Sequence, residues 1–273
     1  MIDAHMHSWV LGRNGHAWPT EAEAPIFRDW LLDGLAAEAA PHGVGRAVLV
    51  QSQEDARDTE WLLDVTRDAP FVAAVVGWTD LAAPGAAAQV AALAAHPKLR
   101  GLRPMVQDRA ADWYDDPALE AGFAAMIEHG LCLDALVRVP HLASLERLAR
   151  RMPELQIVID HAAKPRIGAS GGLGEWRAAI APIAERPNAF CKLSGLLTEC
   201  GGAPPEAAGP YIGAILDLFG AGRTLWGSDW PVLRLAASYS AWFEQALAAV
   251  PAPARADVFE GTTARFYGLE TVR

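Results

Sequence analysis

His5 and His7 stand two residues apart in Ile2-Asp3-Ala4-His5-Met6-His7-Ser8, a short stretch that reads as a strand. Side chains on a strand repeat every second residue, so both imidazoles leave the same face, about 6.5–7 Å apart along the chain. Two such rings can share one divalent cation; they can equally be polar residues satisfied by backbone at a strand end. Two further residues weigh on that choice. His161 ends Leu155-Gln156-Ile157-Val158-Ile159-Asp160-His161, and Asp229 lies at the end of Thr224–Asp229. Three imidazoles and a carboxylate are the groups that hold a divalent ion, or that take a proton from water beside an electrophile.

The chain must bring these residues together from both ends and the middle. Strands are expected at Ile2–Ser8, Arg46–Gln51, Phe71–Trp78, Leu99–Val106, Leu131–Val137, Leu155–His161, Ala189–Leu193 and Thr224–Asp229. Ala47-Val48-Leu49-Val50 and Ile157-Val158-Ile159 are apolar at consecutive positions, the pattern of parallel strands covered on both faces. Between the strands, apolar residues recur at helical spacing: Trp30, Leu31 and Leu35; Leu119, Phe123, Met126 and Ile127; Leu142, Leu145, Leu148 and Met152. Asp116-Pro117 reads as an N-cap and first helical residue, while Gly130 and Gly220 mark helix ends.

Eight strands alternating with helices, uninterrupted by any linker, predict one α/β domain over residues 1–273, a closed (β/α)8 barrel of the TIM type. An open doubly wound sheet would place a glycine-rich phosphate loop after its first strand, where this chain has His5-Met6-His7-Ser8-Trp9. In a closed barrel the eighth strand neighbours the first. Asp229 then meets His5 and His7 at the C-terminal mouth, where barrel enzymes carry their chemistry.

Composition narrows the partners. Among 273 residues, 52% are hydrophobic and 21% charged, which excludes a disordered chain. Lys and Arg number 23 against 33 Asp and Glu, a net charge of −10 with no basic cluster, which argues against nucleic acid. No stretch is apolar for long enough to span a membrane, and no signal peptide is visible. Cys132, Cys191 and Cys200 follow no disulfide pattern, so a reducing, cytoplasmic setting is expected.

Five blocks carry a family resemblance. They are Ile2-Asp3-Ala4-His5-Met6-His7, Gly101-Leu102-Arg103-Pro104-Met105-Val106-Gln107-Asp108, Ile159-Asp160-His161-Ala162-Ala163-Lys164-Pro165, Cys191-Lys192-Leu193-Ser194-Gly195-Leu196 and Trp226-Gly227-Ser228-Asp229-Trp230-Pro231-Val232. In this order they resemble the sugar-lactone hydrolases of the amidohydrolase superfamily, the branch with the L-fucono- and L-rhamnono-lactonases. The resemblance implies hydrolysis of a sugar-acid lactone to its aldonate. It implies His5, His7 and His161 as metal-site imidazoles and Asp229 as the carboxylate that both meets the metal and activates water. One divalent metal, zinc first, is implied, since the fifth strand lacks the histidine of binuclear relatives; turnover without metal is known in this branch. Pro104 stands where fuconolactonase-type relatives often carry a histidine, which leaves the sugar open.

The substrate-binding candidates follow from position. Arg103, ending the fourth strand, is a catalytic candidate as oxyanion donor and a candidate grip for hydroxyls; it could also serve only as a rim salt bridge. Gln107 and Lys164 lie just beyond strand ends, and Trp18 and Trp230 offer flat apolar faces to a sugar ring. Lys192, inside a strand, is expected in an internal salt bridge. Gln51 and Asp80 are weaker candidates. His16, His42, His96, His129 and His141 read as structural or exposed, with His16 near enough to reach the mouth. A decarboxylase or C–C hydrolase of the same superfamily, and a silent sugar-acid binder, are the competing readings.

Overall fold

All eight expected strands form, each ending at or before its expected limit. In the computed structural model, which describes residues 1–270, they are β1 (Ile2–Met6), β2 (Arg46–Val50), β3 (Val72–Gly77), β4 (Leu99–Leu102), β5 (Cys132–Ala135), β6 (Ile157–Ile159), β7 (Ala189–Leu193) and β8 (Thr224–Trp226). The last three residues of the expected 1–273 domain lie outside the described residues. Neighbouring strands pair in parallel in sequence order from β1 to β8. The ring closes just past β8, where Met6 bridges Trp230 and Asp229 N donates to the His5 carbonyl at 2.8 Å. This is the (β/α)8 barrel that the strand–helix alternation predicts.

The helices between strands are α1 (Leu32–Ala39), α2 (Ala56–Thr66), α3 (Ala86–Ala94), α4 (Glu120–Glu128), α5 (Leu142–Arg151), α6 (Gly172–Ala184), α7 (Gly209–Phe219) and α8 (Tyr239–Ala249), followed by a short α9 (Thr262–Phe266). Asp116 caps the turn entering α4 by accepting from Ala118 N at 2.9 Å. Trp30, expected on a helix, instead pairs with Trp9 through two backbone hydrogen bonds, 3.1 and 2.9 Å, and α1 starts only at Leu32. That tertiary bridge uses the N–H and C=O which a helical turn at Trp30 would need. Among the described residues no helix is long and apolar enough to cross a membrane.

Alternation along the strands sorts the core into two layers. Ile2, Ala4, Val48, Val50, Ala74, Val76, Val158 and Leu225 form one cluster inside the barrel, closed below by Ala264, Phe266 and Tyr267. Met6, Ala47, Leu49, Val75, Leu133, Ile157 and Trp226 face the helices. β1 breaks strict alternation: Ile2 and Ala4 lie inside, yet the pairing register shifts between Asp3 and Met6. That irregularity moves the phase by one, so His5 as well as Ala4 turns inward, which a regular strand would forbid. Gly227, just past β8, makes room, because a Cβ there would come within 2.9 Å of His5 Cβ.

Candidate active site

Above the apolar interior the barrel carries a layer of charge. Asp134 on β5, Asp160 after β6 and Lys192 on β7 are fully buried, and Arg103 after β4 nearly so. The Lys192 ammonium donates to Asp134 Oδ2 and lies 3.0 Å from Asp160 Oδ1 and 3.1 Å from His5 Nδ1. Arg103 reaches Asp160 Oδ2 at 3.5 Å and donates to the Gln51 carbonyl, while Tyr267 donates to Asp134 Oδ2 at 2.7 Å. Burial alone would strip the charge from Lys192, but Asp134 and Asp160 outweigh it and hold the ammonium protonated. Asp160 stays ionised far below the ordinary carboxylate range against its own burial, chiefly through Lys192. The salt bridge expected for Lys192 is therefore present, with two acids rather than one.

The three imidazoles and Asp229 form the next layer up. Asp229 Oδ1 lies 3.3 Å from His7 Nε2, 3.7 Å from His5 Nε2 and 3.8 Å from His161 Nε2, and the His5 and His7 Nε2 atoms are 3.1 Å apart. Burial would raise the Asp229 carboxyl; the surrounding imidazoles overcome this and keep it ionised well below its usual range. His161 is pushed the other way, down to about 4, first by burial, so it stays neutral near pH 7. Its Nδ1 meets Ser194 Oγ at 2.9 Å, and His7 Nδ1 donates to the Val50 carbonyl at 2.8 Å. With Ser194 accepting, the neutral His161 ring aims an Nε2 lone pair at the cavity, and His7 turns its Nε2 toward the same point.

These donors suit a small cation. His5, His161 and Asp229 each offer one atom within 4.8 Å of the others, and His7 Nε2 completes a three-nitrogen, one-oxygen set. Ligands of a tetrahedral zinc ion lie roughly 3.3 Å from one another, given bonds of about 2.0–2.1 Å. The second-layer contacts of His7 and His161 are those that orient metal-binding imidazoles.

Backbone strain marks the same residues. His161, Ala162, Ala163 and Lys164 all have positive φ (51°, 50°, 61° and 51°), as does Asp229 at 60°. Each such non-glycine residue costs about 1–2 kcal/mol. The resulting left-handed turn, held by Trp176 Nε1 donating to the Ala162 carbonyl at 2.7 Å, sets both His161 and Lys164 on the cavity wall. Only glycine fits at 195, where φ is +60° and a Cβ would sit 2.4 Å from His161 Nδ1.

The cavity has a volume of about 320 Å³, at the small end of ligand sites, a size that suits a monosaccharide. Asp229, His7 and His161 form its base, and Arg103, Gln107, Lys164 and Trp18 line its wall. The structure does not place Trp230 there. Its backbone closes the barrel, and its indole lies edge-on to Trp30 and Tyr239, with ring centroids 5.7 and 5.9 Å away. Gln51 is buried and donates to the Arg103 carbonyl, and Asp80 caps a surface turn. His96 accepts a local hydrogen bond from Lys98 N, His42 and His141 bond to Ser240 Oγ and the Arg109 carbonyl, and His16 packs on Trp9.

Ser52 was not anticipated: it lines the cavity with a buried hydroxyl that has no partner. Asp134, Ser194 and Asp160 were likewise not singled out for roles. A signal existed for two of them, because a lysine buried inside a barrel demands acids within reach, and Asp134 on β5 and Asp160 just after β6 stand at strand positions of the same barrel.

A family model described as Amidohydrolase matches residues 2–269. An L-fucono-1,5-lactonase of Burkholderia ambifaria is 48% identical, over 98% of this chain and 96% of its own length. An L-fucono-1,5-lactonase of Burkholderia multivorans is 34% identical at the same coverage. A crystal structure of an amidohydrolase from Burkholderia multivorans with bound zinc superimposes with a TM-score of 0.91 at 33% identity, covering 98% of this chain and 99% of that one. With the match running from the first strand to the segment that plugs the barrel floor, the chain belongs to the amidohydrolase family.

Proposed function

We propose that the chain opens L-fucono-1,5-lactone, or a sugar lactone of closely similar shape, to its aldonate, with Asp229 as the base. Its standing as a sugar-lactone hydrolase rests on the two lactonase relatives. The observation that carries the residue roles is one ionised carboxylate at the base of a monosaccharide-sized cavity, ringed by three imidazoles and overlooked by Arg103 and Lys164.

Asp229 takes a proton from water as its oxygen bonds to the lactone carbonyl carbon, and returns that proton to the ring oxygen as the ring C–O bond breaks. Arg103, anchored on Asp160 and on the Gln51 carbonyl, supplies a fixed positive charge for the developing oxyanion. Gln107 Oε1, buried without a partner, and Ser52 Oγ are free to bond sugar hydroxyls, and Trp18 offers an apolar face. Lys164, its charge disfavoured by burial, gains a partner when the product carboxylate forms. A divalent cation, zinc on this reading, would be held by His5, His7, His161 and Asp229 and would supply Lewis acidity toward carbonyl or water. Three buried, unpaired thiols support a reducing compartment and hence the cytoplasm.

A panel of sugar lactones in weak buffer with a pH indicator, run with and without chelator, tests the reaction. Acidification fastest with L-fucono-1,5-lactone is expected. Alkalinisation with CO₂ release would point to decarboxylation, and thermal stabilisation without turnover to a binder; either would overturn the assignment.

A further inference from the structure

We infer that Gln53 is a positioning residue: by tying down the first half of the loop after β1 it holds Trp18 over the mouth, and so sets how tightly the sugar is bound. The inference rests on Trp18 meeting the sugar, as proposed above. Ser52, its neighbour, lines the cavity; Gln53 stands behind that wall and acts only through the loop.

The loop of residues 10–29, between β1 and α1, is held differently in its two halves. The second half is fixed from the barrel: Trp9 Nε1 donates to the Arg28 carbonyl at 2.9 Å, Trp30 Nε1 donates to the Ile26 carbonyl at 3.1 Å, and Ile26 is fully buried. In the first half Gly12, Arg13 and Gly15 are exposed, and Gly12, Asn14 and Gly15 take positive φ (72°, 56° and 81°). Glycine adopts that conformation readily without preferring it, and in Asn14 it is strained. The turn therefore needs contacts from elsewhere in the fold.

Those contacts come from the segment joining β2 to α2 and from α2 itself. Among the described residues, the hydrogen bonds that reach the backbone of residues 12–18 from outside the loop come from Gln53 Nε2, to the Arg13 carbonyl at 3.3 Å, and from Arg57 Nη2, to the Asn14 carbonyl at 2.9 Å. Gln53 gives its other amide hydrogen to Asp58 Oδ1 at 3.1 Å, an acid buried on α2. A carbonyl only accepts, so the amide nitrogen of Gln53 faces the loop. The Arg13 guanidinium lies over the Trp61 ring, 5.1 Å from its centroid, and the buried His16 ring sits where the Asp58 charge reaches it. Trp18 stands two residues beyond His16, edge-on to Trp9 with ring centroids 5.5 Å apart and on the cavity wall. Its place follows that of the turn before it.

Trypsin acting on the full chain tests the tether without substrate, because Arg13 is exposed in the turn and cleavage after it reports the released loop. Gln53→Glu keeps the shape of the side chain, removes both hydrogens and sets a charge against Asp58. Cleavage after Arg13 should quicken about fivefold, the worth of one hydrogen bond, while cleavage after Arg28, on the half fixed by the indoles, stays unchanged. Sugar-lactone kinetics test the consequence. Gln53→Glu should raise KM a few-fold, no more than Trp18→Ala does, with kcat within about twofold of wild type. In a Trp18→Ala background it should raise KM no further. Unchanged cleavage after Arg13 would overturn the tether, and KM effects that add would overturn the link to Trp18 and locate the effect at Ser52. If the added charge unfolds the chain, Gln53→Ala, which carries none, decides by the same two readouts. Absence of turnover on every lactone would fail the proposed reaction instead, and the cleavage rates would still uphold or overturn the tether.

Discussion

Asp229 and Asp160 are acids on successive layers of one barrel, both almost wholly buried and both held ionised against that burial. Their neighbours separate them. Asp160 faces Lys192 and Arg103, cations fixed by further hydrogen bonds, and its charge is neutralised in the resting protein. Asp229 faces three imidazoles, of which His5 and His161 are disfavoured from protonation by burial, so its charge remains available to water or a cation in the cavity. A buried carboxylate matched by permanent charge is a structural fixture; one ringed by imidazoles at an open cavity can do chemistry.

Substitution at each acid should break different properties. Asp229→Asn is expected to lower kcat/KM for lactone by about 10³-fold, within the usual worth of a general base, while the melting temperature moves only a few degrees. A rate within tenfold of wild type would erase the distinction. Asp134→Ala, which leaves the Lys192 charge short of one partner and orphans the Tyr267 hydroxyl, should cost about 3–5 kcal/mol in urea unfolding while changing turnover less than tenfold.

The imidazoles give a pH test. His161 falls to about 4 in the folded chain against an ordinary 6.5, so on acidification the unfolded chain takes the proton first. Its contribution, complete above pH 6.5, is lost as pH falls toward 4, and amounts to about 3 kcal/mol. Asp3 and Asp134, pushed up to about 6 by burial, act in the opposite sense over part of that range. The readout is therefore the difference between wild type and His161→Gln in chelator-treated protein, measured by urea unfolding from pH 7.5 to 4. The smallest effect separates the two tryptophans. Trp18→Ala should raise KM a few-fold through one lost ring contact, and Trp230→Phe should leave KM within twofold.

How far the chain could be read varied with how local the cause was. Two-faced apolar runs such as Val48-Leu49-Val50 announced strands, and Gly130 and Gly220 announced helix ends, because backbone preference and burial act within a few residues. Trp30 was misplaced because its partner, Trp9, lies in another segment. Trp230 was misplaced because the path of the backbone past β8, where Asp229 takes a φ of 60°, rather than residue type, decides whether an indole meets the cavity or packs on Trp30 and Tyr239.

The amino-acid order alone determined the barrel, the convergence of His5, His7, His161 and Asp229 at its mouth, and the resemblance that names the reaction. Periodicity and strand ends suffice for the barrel and the convergence, since a closed ring leaves the first and last strands adjacent, whereas the resemblance rests on five motif blocks. Tertiary structure decided the rest: the register shift that turns His5 inward, the left-handed turn that pairs His161 with Lys164, and the two acids that hold the Lys192 charge. Those depend on atoms far apart in the chain meeting in space, which no local pattern of residues specifies.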